Sequence, residues 1–266
     1  MSPRRRLLVG LLAALVGFAA VVVGVQVLGS RGPTVDPAAR PAQDEPGLVL
    51  LVPGYGGSRS SLLSLAGRIE ATGRNAEVLT LAGDGTGDLS AQVEVLDDAV
   101  DDALAAGAPS VDVIGYSAGG VVAGLWVARE NGAATARRVI TLGAPLAGST
   151  VASVGAATTP DACPVACRQL APGSAELAEL RAADVGGALP WLSIWTTDDE
   201  TVTPPESARL SGAVNVPVQS VCPGARVGHS GLPTHPAVTG LVLEAISADP
   251  LDAGGECATL SAAGAG

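Results

Sequence analysis

Aromatic side chains are almost missing. One Phe, two Tyr and three Trp make up 2% of 266 residues. Ala, Val and Leu must therefore fill the core, and an apolar content of 47% lets them do so. Charge is also sparse, at 15%, and basic charge is the scarcer sign. Lys and Arg number 15 against 26 Asp and Glu, for a net charge of −11. Nucleic-acid partners call for a basic footprint, so this balance argues against DNA or RNA. The acidic surplus reads as a solubility feature and names no substrate. Histidine occurs only twice, at His229 and His235. Neither lies near the segment Cys163-Pro-Val-Ala-Cys167, so a zinc site is a poor reading. No internal repeat is visible. The length suits one large domain or two small ones, and is enough to bury a full core.

The N-terminus is a separate object. Arg4, Arg5 and Arg6 precede an apolar run from Leu7 to Leu28, and roughly twenty such residues can span a bilayer as a helix. A cleaved signal peptide usually has a shorter run ending in a small-x-small site, and Leu28-Gly-Ser is a poor one. Residues 1–28 therefore read as an uncleaved membrane anchor before a cleaved signal, with a loose twin-arginine match. The positive residues stay on the cytoplasmic side, which puts the remainder on the extracellular face, anchored or secreted. Residues 29–46, rich in Pro, Gly, Ala and Arg, read as a linker. An even cysteine count outside the cytoplasm suggests two disulfides among Cys163, Cys167, Cys222 and Cys257. Of three connectivities, Cys163–Cys167 with Cys222–Cys257 is preferred, because the short spacing suits a local clip.

From residue 47 to 248, strands and helices alternate. Leu48 to Val52 is a continuous apolar run, the mark of a strand buried on both faces. Ser58 to Ala71 has helical spacing at Leu62, Leu65, Ala66 and Ile69. Ala76 to Leu81 reads as the next strand. Val93, Leu96, Val100, Ala103 and Leu104 share one helical face, ended by Gly107 and Pro109. The acids Asp97, Asp98, Asp101 and Asp102 fall mainly on the other face and read as solvated. Val111–Gly115, Val139–Leu142, Trp191–Trp195 and Val214–Val221 read as strands. Val121–Arg129, Ser174–Ala183 and Pro236–Ile246 read as helices. Pro145–Pro172 has no clear period, and residues 249–266 read as a Gly- and Ala-rich tail held by Cys257. The alternation predicts an α/β domain, with a mostly parallel sheet and helices on both faces.

Gly115-Tyr116-Ser117-Ala118-Gly119 matches G-x-S-x-G. Alone the motif is weak. Its position strengthens it, because a buried strand runs into Ser117 and a helix leaves it, the elbow that exposes a nucleophilic serine. A serine hydroxyl needs a base. Both histidines follow the last strand. His229, in the flexible Val-Gly-His-Ser-Gly loop, is preferred to His235 at the start of the closing helix. The third member should follow a strand between serine and histidine. Asp198, Asp199 and Glu200 follow Trp191–Trp195, and the residues alone do not separate Asp198 from Asp199. The oxyanion of a tetrahedral intermediate needs two donors. Ala118 N–H is one candidate. Tyr55 N–H, in Pro53-Gly54-Tyr55-Gly56-Gly57, is the other. No Gly-Lys-Ser/Thr follows that loop, so it is not a phosphate cradle.

In this order, Leu-Val-Pro-Gly-Tyr-Gly-Gly, Gly-Tyr-Ser-Ala-Gly-Gly, Thr-Leu-Gly-Ala-Pro-Leu-Ala-Gly, Leu-Ala-Pro-Gly-Ser, Asp-Glu-Thr-Val-Thr-Pro and Val-Gly-His-Ser-Gly-Leu resemble the small secreted class 2 lipases of Bacillus and actinobacteria. The resemblance covers about residues 47 to 248. It implies the α/β-hydrolase fold with a minimal lid or none. It implies a carboxylic ester hydrolase acting on lipids or small esters. The triad mechanism calls for no metal or organic cofactor, and a monomer is expected. The family's acid stands three residues before a valine, which selects Asp199 before Val202. The same resemblance matches His229, Tyr55 and Ala118 to their expected roles. One departure is Pro53, where relatives carry histidine in the oxyanion loop. The stretch from Gly148 to Gly173 could partly cover the site. An acyltransferase or thioesterase would use the same triad, whereas a membrane-tethered binding protein would be expected to have lost it.

Overall fold

A computed structural model of the protein describes residues 40–252 and 254–266. The expected anchor at residues 1–28 lies outside the described residues, as does the linker before Arg40. Among the described residues, no helix is long and apolar enough to cross a membrane.

The strands are β1 (Leu48–Val52), β2 (Ala76–Val78), β3 (Val111–Tyr116), β4 (Ala136–Leu142), β5 (Trp191–Trp195) and β6 (Val214–Pro217). They form one sheet in the order β2-β1-β3-β4-β5-β6, and every neighbouring pair is parallel. The longer helices are α1 (Ser60–Glu70), α2 (Leu89–Ala105), α3 (Ala118–Arg129), α4 (Thr150–Thr158), α5 (Val165–Gln169), α6 (Ala175–Ala183), α7 (Pro236–Ala245) and α8 (Cys257–Ala265).

Side chains alternate across a strand, so each strand feeds two cores. Leu50, Val52, Val113, Val139 and Trp191 pack with residues of α2, α3 and α6. Val49, Leu51, Ile114, Ile140 and Ile194 pack with residues of α1, α7 and α8. Both faces are thus covered by helices, which is why the strands read as unbroken apolar runs. The chain leaves β1 for β2 on one side and returns to β3 on the other. The strand order reverses there, at β1 and β3, and the carboxyl ends of the strands at such a point are where open α/β sheets bind ligands.

The opposite, amino-terminal end of the sheet carries buried charge. Asp112 of β3 is fully buried and takes both Nε and Nη2 of the fully buried Arg137. Arg74 Nη2 adds a third bond at 2.8 Å. Arg74, Arg137 and Arg138 also donate to the carbonyls of Ala245, Ile246 and Ser247. These carbonyls lie at the C-terminal end of α7, on its last residue and the two that follow, where the helix is negatively polarised and cations are stabilising.

Several boundaries differ from the sequence expectation. β2 ends at Val78, although Leu79 N–H still bonds Leu51 O. β6 stops at Pro217, and Val218–Val221 turns into one helical turn. Proline has no N–H for the ladder, and its fixed φ suits a helix start. β4 begins three residues early, at Ala136, and α3 begins directly after Ser117. The stretch at 145–172 is not irregular but holds α4 and α5, clipped by the Cys163–Cys167 disulfide. The expected tail contains α8, tied by Cys222–Cys257. A Cβ on Gly240 would lie 2.2 Å from Leu260 O, and one on Gly264 would lie 1.9 Å from Pro236 O. The α7–α8 backbones touch through these glycines, so small residues replace the usual apolar stripe.

Candidate active site

The candidate residues stand at the carboxyl ends of the strands. Ser117 follows β3 and precedes α3, with φ 53° and ψ −125°. Such a backbone is rare outside glycine and costs roughly 1–3 kcal/mol unless its surroundings hold it. Ser117 N–H donates to Leu142 O at 2.8 Å, and Ser117 O accepts from Gly120 N–H at 2.9 Å. The motif's two glycines have steric reasons. A Cβ on Gly115 would lie 2.5 Å from Gly120 Cα, and one on Gly119 would lie 2.2 Å from Val52 O. The turn therefore presses against both its own helix and the end of β1.

His229 lies in the 3-10 turn His229–Thr234. Its Nε2 is 2.9 Å from Ser117 Oγ, and its Nδ1 is 2.7 Å from Asp199 Oδ2. A carboxylate can only accept, so Nδ1 carries the proton and Nε2 is free to receive one. Asp199 Oδ1 accepts from Thr201 N–H at 2.9 Å and Val202 N–H at 2.7 Å. Both carboxylate oxygens are thereby fixed, and the side chain is buried. Gly143, after β4, leaves room for the imidazole. A Cβ there would lie 3.1 Å from His229 Nδ1.

The structure brings Ser117, Asp199 and His229 into one hydrogen-bonded row. The competing residues lie elsewhere. Asp198 sits 3.9 Å from the exposed Arg226, and Glu200 is exposed. His235 stands before α7 with its Nδ1 unpaired among the described residues, and burial pushes its basicity down. Ala118 is the first residue of α3, so its N–H has no partner within the helix. Tyr55 follows β1 in the loop that Gly119 abuts, and its side chain is exposed. Neither amide meets an acceptor among the described residues.

Sequence reasoning missed a bracing set around the row. Thr196 Oγ1 donates to Val227 O at 2.6 Å and receives Gln219 Nε2 at 2.9 Å. Gln219 Oε1 in turn accepts from Thr197 N–H at 3.0 Å. Together these bonds tie the loop of Asp199 to the loop of His229. Ser149 Oγ donates to Thr201 O and accepts from Thr203 N–H, anchoring the start of α4 on the acid loop. Tyr116 lies against His229. These residues have no spacing that marks them, although Tyr116 stands inside the G-x-S-x-G motif itself.

No known protein-family profile matches the chain, and no curated protein matches it. Solved structures do. The Aspergillus fumigatus lipase B structure aligns with a TM-score of 0.65 and 19% identity, over 84% of this chain and 56% of that one. A structure of the metagenome-derived lipolytic enzymes LipS and LipT aligns at 0.54 and 18% identity, over 79% of this chain and 96% of that one. The mature Bacillus licheniformis lipase BlEst2 aligns at 0.54 and 19% identity, over 68% and 86%.

The chain has the α/β-hydrolase fold.

The hydrolase fold explains why serine, acid and histidine follow β3, β5 and β6 in that order. The chain spans just over half the length of the Aspergillus lipase B chain. Identities near one in five support the fold and do not by themselves carry activity.

Proposed function

We propose that this chain is a serine hydrolase of carboxylic esters, with Ser117 as nucleophile, His229 as base and Asp199 as the acid that orients it. The observation that carries the reading is the unbroken row from Ser117 Oγ through His229 to Asp199, at 2.9 and 2.7 Å. Ser117 Oγ attacks the acyl carbon while His229 Nε2 takes its proton. The amides of Tyr55 and Ala118 hold the oxyanion. The ester C–O bond then breaks, and His229 returns the proton to the departing alcohol. Water attacks the acyl-enzyme, gives its proton to His229, and Ser117 is released by the reverse transfer.

The acyl group is apolar on this reading. Tyr55, Leu63, Val151, Val154 and Val165 are exposed large hydrophobic residues. They stand in the loop after β1, the first turn of α1, and the α4–α5 stretch. Lipids or small esters are the proposed substrates, in keeping with the resemblance to class 2 lipases. The N-terminal apolar run supports an enzyme held at, or released from, the extracellular face of a membrane. The test is a panel of p-nitrophenyl esters of rising chain length, run on the wild type and on Ser117→Ala. The proposal expects turnover by the wild type and its loss in the variant. Equal turnover by the two rejects Ser117 as nucleophile.

A further inference from the structure

We propose that Tyr116 is the positioning residue of His229. Its hydroxyl tethers the backbone of the base and its ring backs the imidazole, so the strand end that presents Ser117 also sets its base. The proposal rests on the hydrolase reading above.

Tyr116 is the last residue of β3 and the variable position of G-x-S-x-G. Its hydroxyl donates to His229 O at 3.3 Å. Its ring centroid lies 5.2 Å from that of the imidazole, with planes tilted by 31°. Two consecutive residues thus reach the same histidine, Ser117 at Nε2 and Tyr116 at its face and main chain. Among the described residues, Tyr116 is the one aromatic ring paired with the imidazole. Asp199 holds Nδ1, and Gly143 offers no side chain. Asp198, Glu200 and Arg226 line a polar hollow of about 390 Å³ on another side of His229.

The ring also suits the chemistry. The imidazole gains a proton when Ser117 attacks, and an aromatic face within about 6 Å attracts a cation. The phenol adds no opposing change of its own. Burial, with the charge of Asp199, pushes it up to about 12, so it stays a donor throughout the neutral range.

The test compares the full chain with Tyr116→Phe, which keeps the ring, and Tyr116→Leu, which removes ring and hydroxyl. Each is followed by hydrolysis of p-nitrophenyl butyrate, by thermal unfolding, and by the downfield proton resonance of His229 Nδ1–H. Loss of one hydrogen bond should lower kcat roughly two- to tenfold in Tyr116→Phe, with KM unchanged. Misplacement of the base should lower it about a hundredfold in Tyr116→Leu. The downfield proton should persist in the Phe variant and broaden or vanish in the Leu variant. Unchanged kcat in both folded variants overturns the proposal. So does a rise in KM at constant kcat, which would make Tyr116 a substrate contact. If Tyr116→Leu does not fold, the Phe variant decides, and unchanged kcat there overturns the tether. If the wild type hydrolyses no ester, the hydrolase reading fails. The proton resonance then tests Tyr116 separately, and its persistence in a folded Leu variant overturns the positioning role.

Discussion

Gly119→Ala adds one methyl group at the tightest point of the elbow. The new Cβ would lie 2.2 Å from Val52 O and 2.5 Å from Pro53 O, where real contacts do not fall below 3.0 Å. Either the end of β1 or the start of α3 must retreat by about 0.8 Å to relieve the overlap. Both carry proposed oxyanion donors, Tyr55 on one side and Ala118 on the other. A displacement near 1 Å at a catalytic group costs on the order of a hundredfold in rate. Overpacking costs a further 1–3 kcal/mol of stability, roughly. The variant should therefore fold, unfold several degrees lower, and show kcat on p-nitrophenyl butyrate reduced about a hundredfold. The row of Ser117, His229 and Asp199 is left whole, so an organophosphate should still label Ser117, only more slowly. A folded Gly119→Ala enzyme with kcat within twofold of wild type would refute the steric argument, and with it the assignment of the β1 loop to oxyanion binding.

Four further outcomes are expected. Asp112→Ala leaves Arg137 buried without its carboxylate, which should cost about 3–5 kcal/mol and lower Tm by roughly 6–20 °C. Its kcat should not change, because the cluster sits at the far end of the sheet; thermal unfolding and ester kinetics check both. Asp199→Asn should lower kcat by about 10⁴ by upsetting the imidazole tautomer, whereas Asp198→Asn should stay near wild type. Replacing Cys222 and Cys257 by serine opens a link across 35 residues, worth about 3–4 kcal/mol in denaturant titration. Absorbance at 295 nm should show Tyr116 ionising near pH 12. Because its folded value is raised above the usual 10, the unfolded chain loses this proton first. Stability from this group is full below pH 10 and falls as pH rises from about 10 towards 12.

The parallel sheet was legible because buried strands such as Leu48–Val52 and Val111–Gly115 are uninterrupted apolar runs, and α2 shows its face at Val93, Leu96 and Val100. α8 was not legible. It packs through Gly240, Gly264 and Leu260, and small residues carry no periodic apolar signal. Nor was the use of Asp97, read as a solvated acid, which accepts Trp126 Nε1 at 2.9 Å. At the candidate site, the G-x-S-x-G elbow and the scarcity of histidine pointed to Ser117 and His229. The residues alone left Asp198 and Asp199 level, because adjacent acids on a loop have no period to tell them apart. The fold separates them by turning Asp199 inward onto two backbone amides, while Asp198 faces Arg226. The bracing by Thr196, Gln219 and Tyr116 joins segments far apart in sequence, and no local pattern could announce it.

The most direct measurement is ester hydrolysis by the wild type beside Ser117→Ala, with thermal unfolding run on both. The account predicts turnover on p-nitrophenyl esters by the wild type and near-complete loss in a variant that unfolds at the same temperature. Undiminished turnover in Ser117→Ala, or no turnover by folded wild type on any ester in the panel, would contradict it.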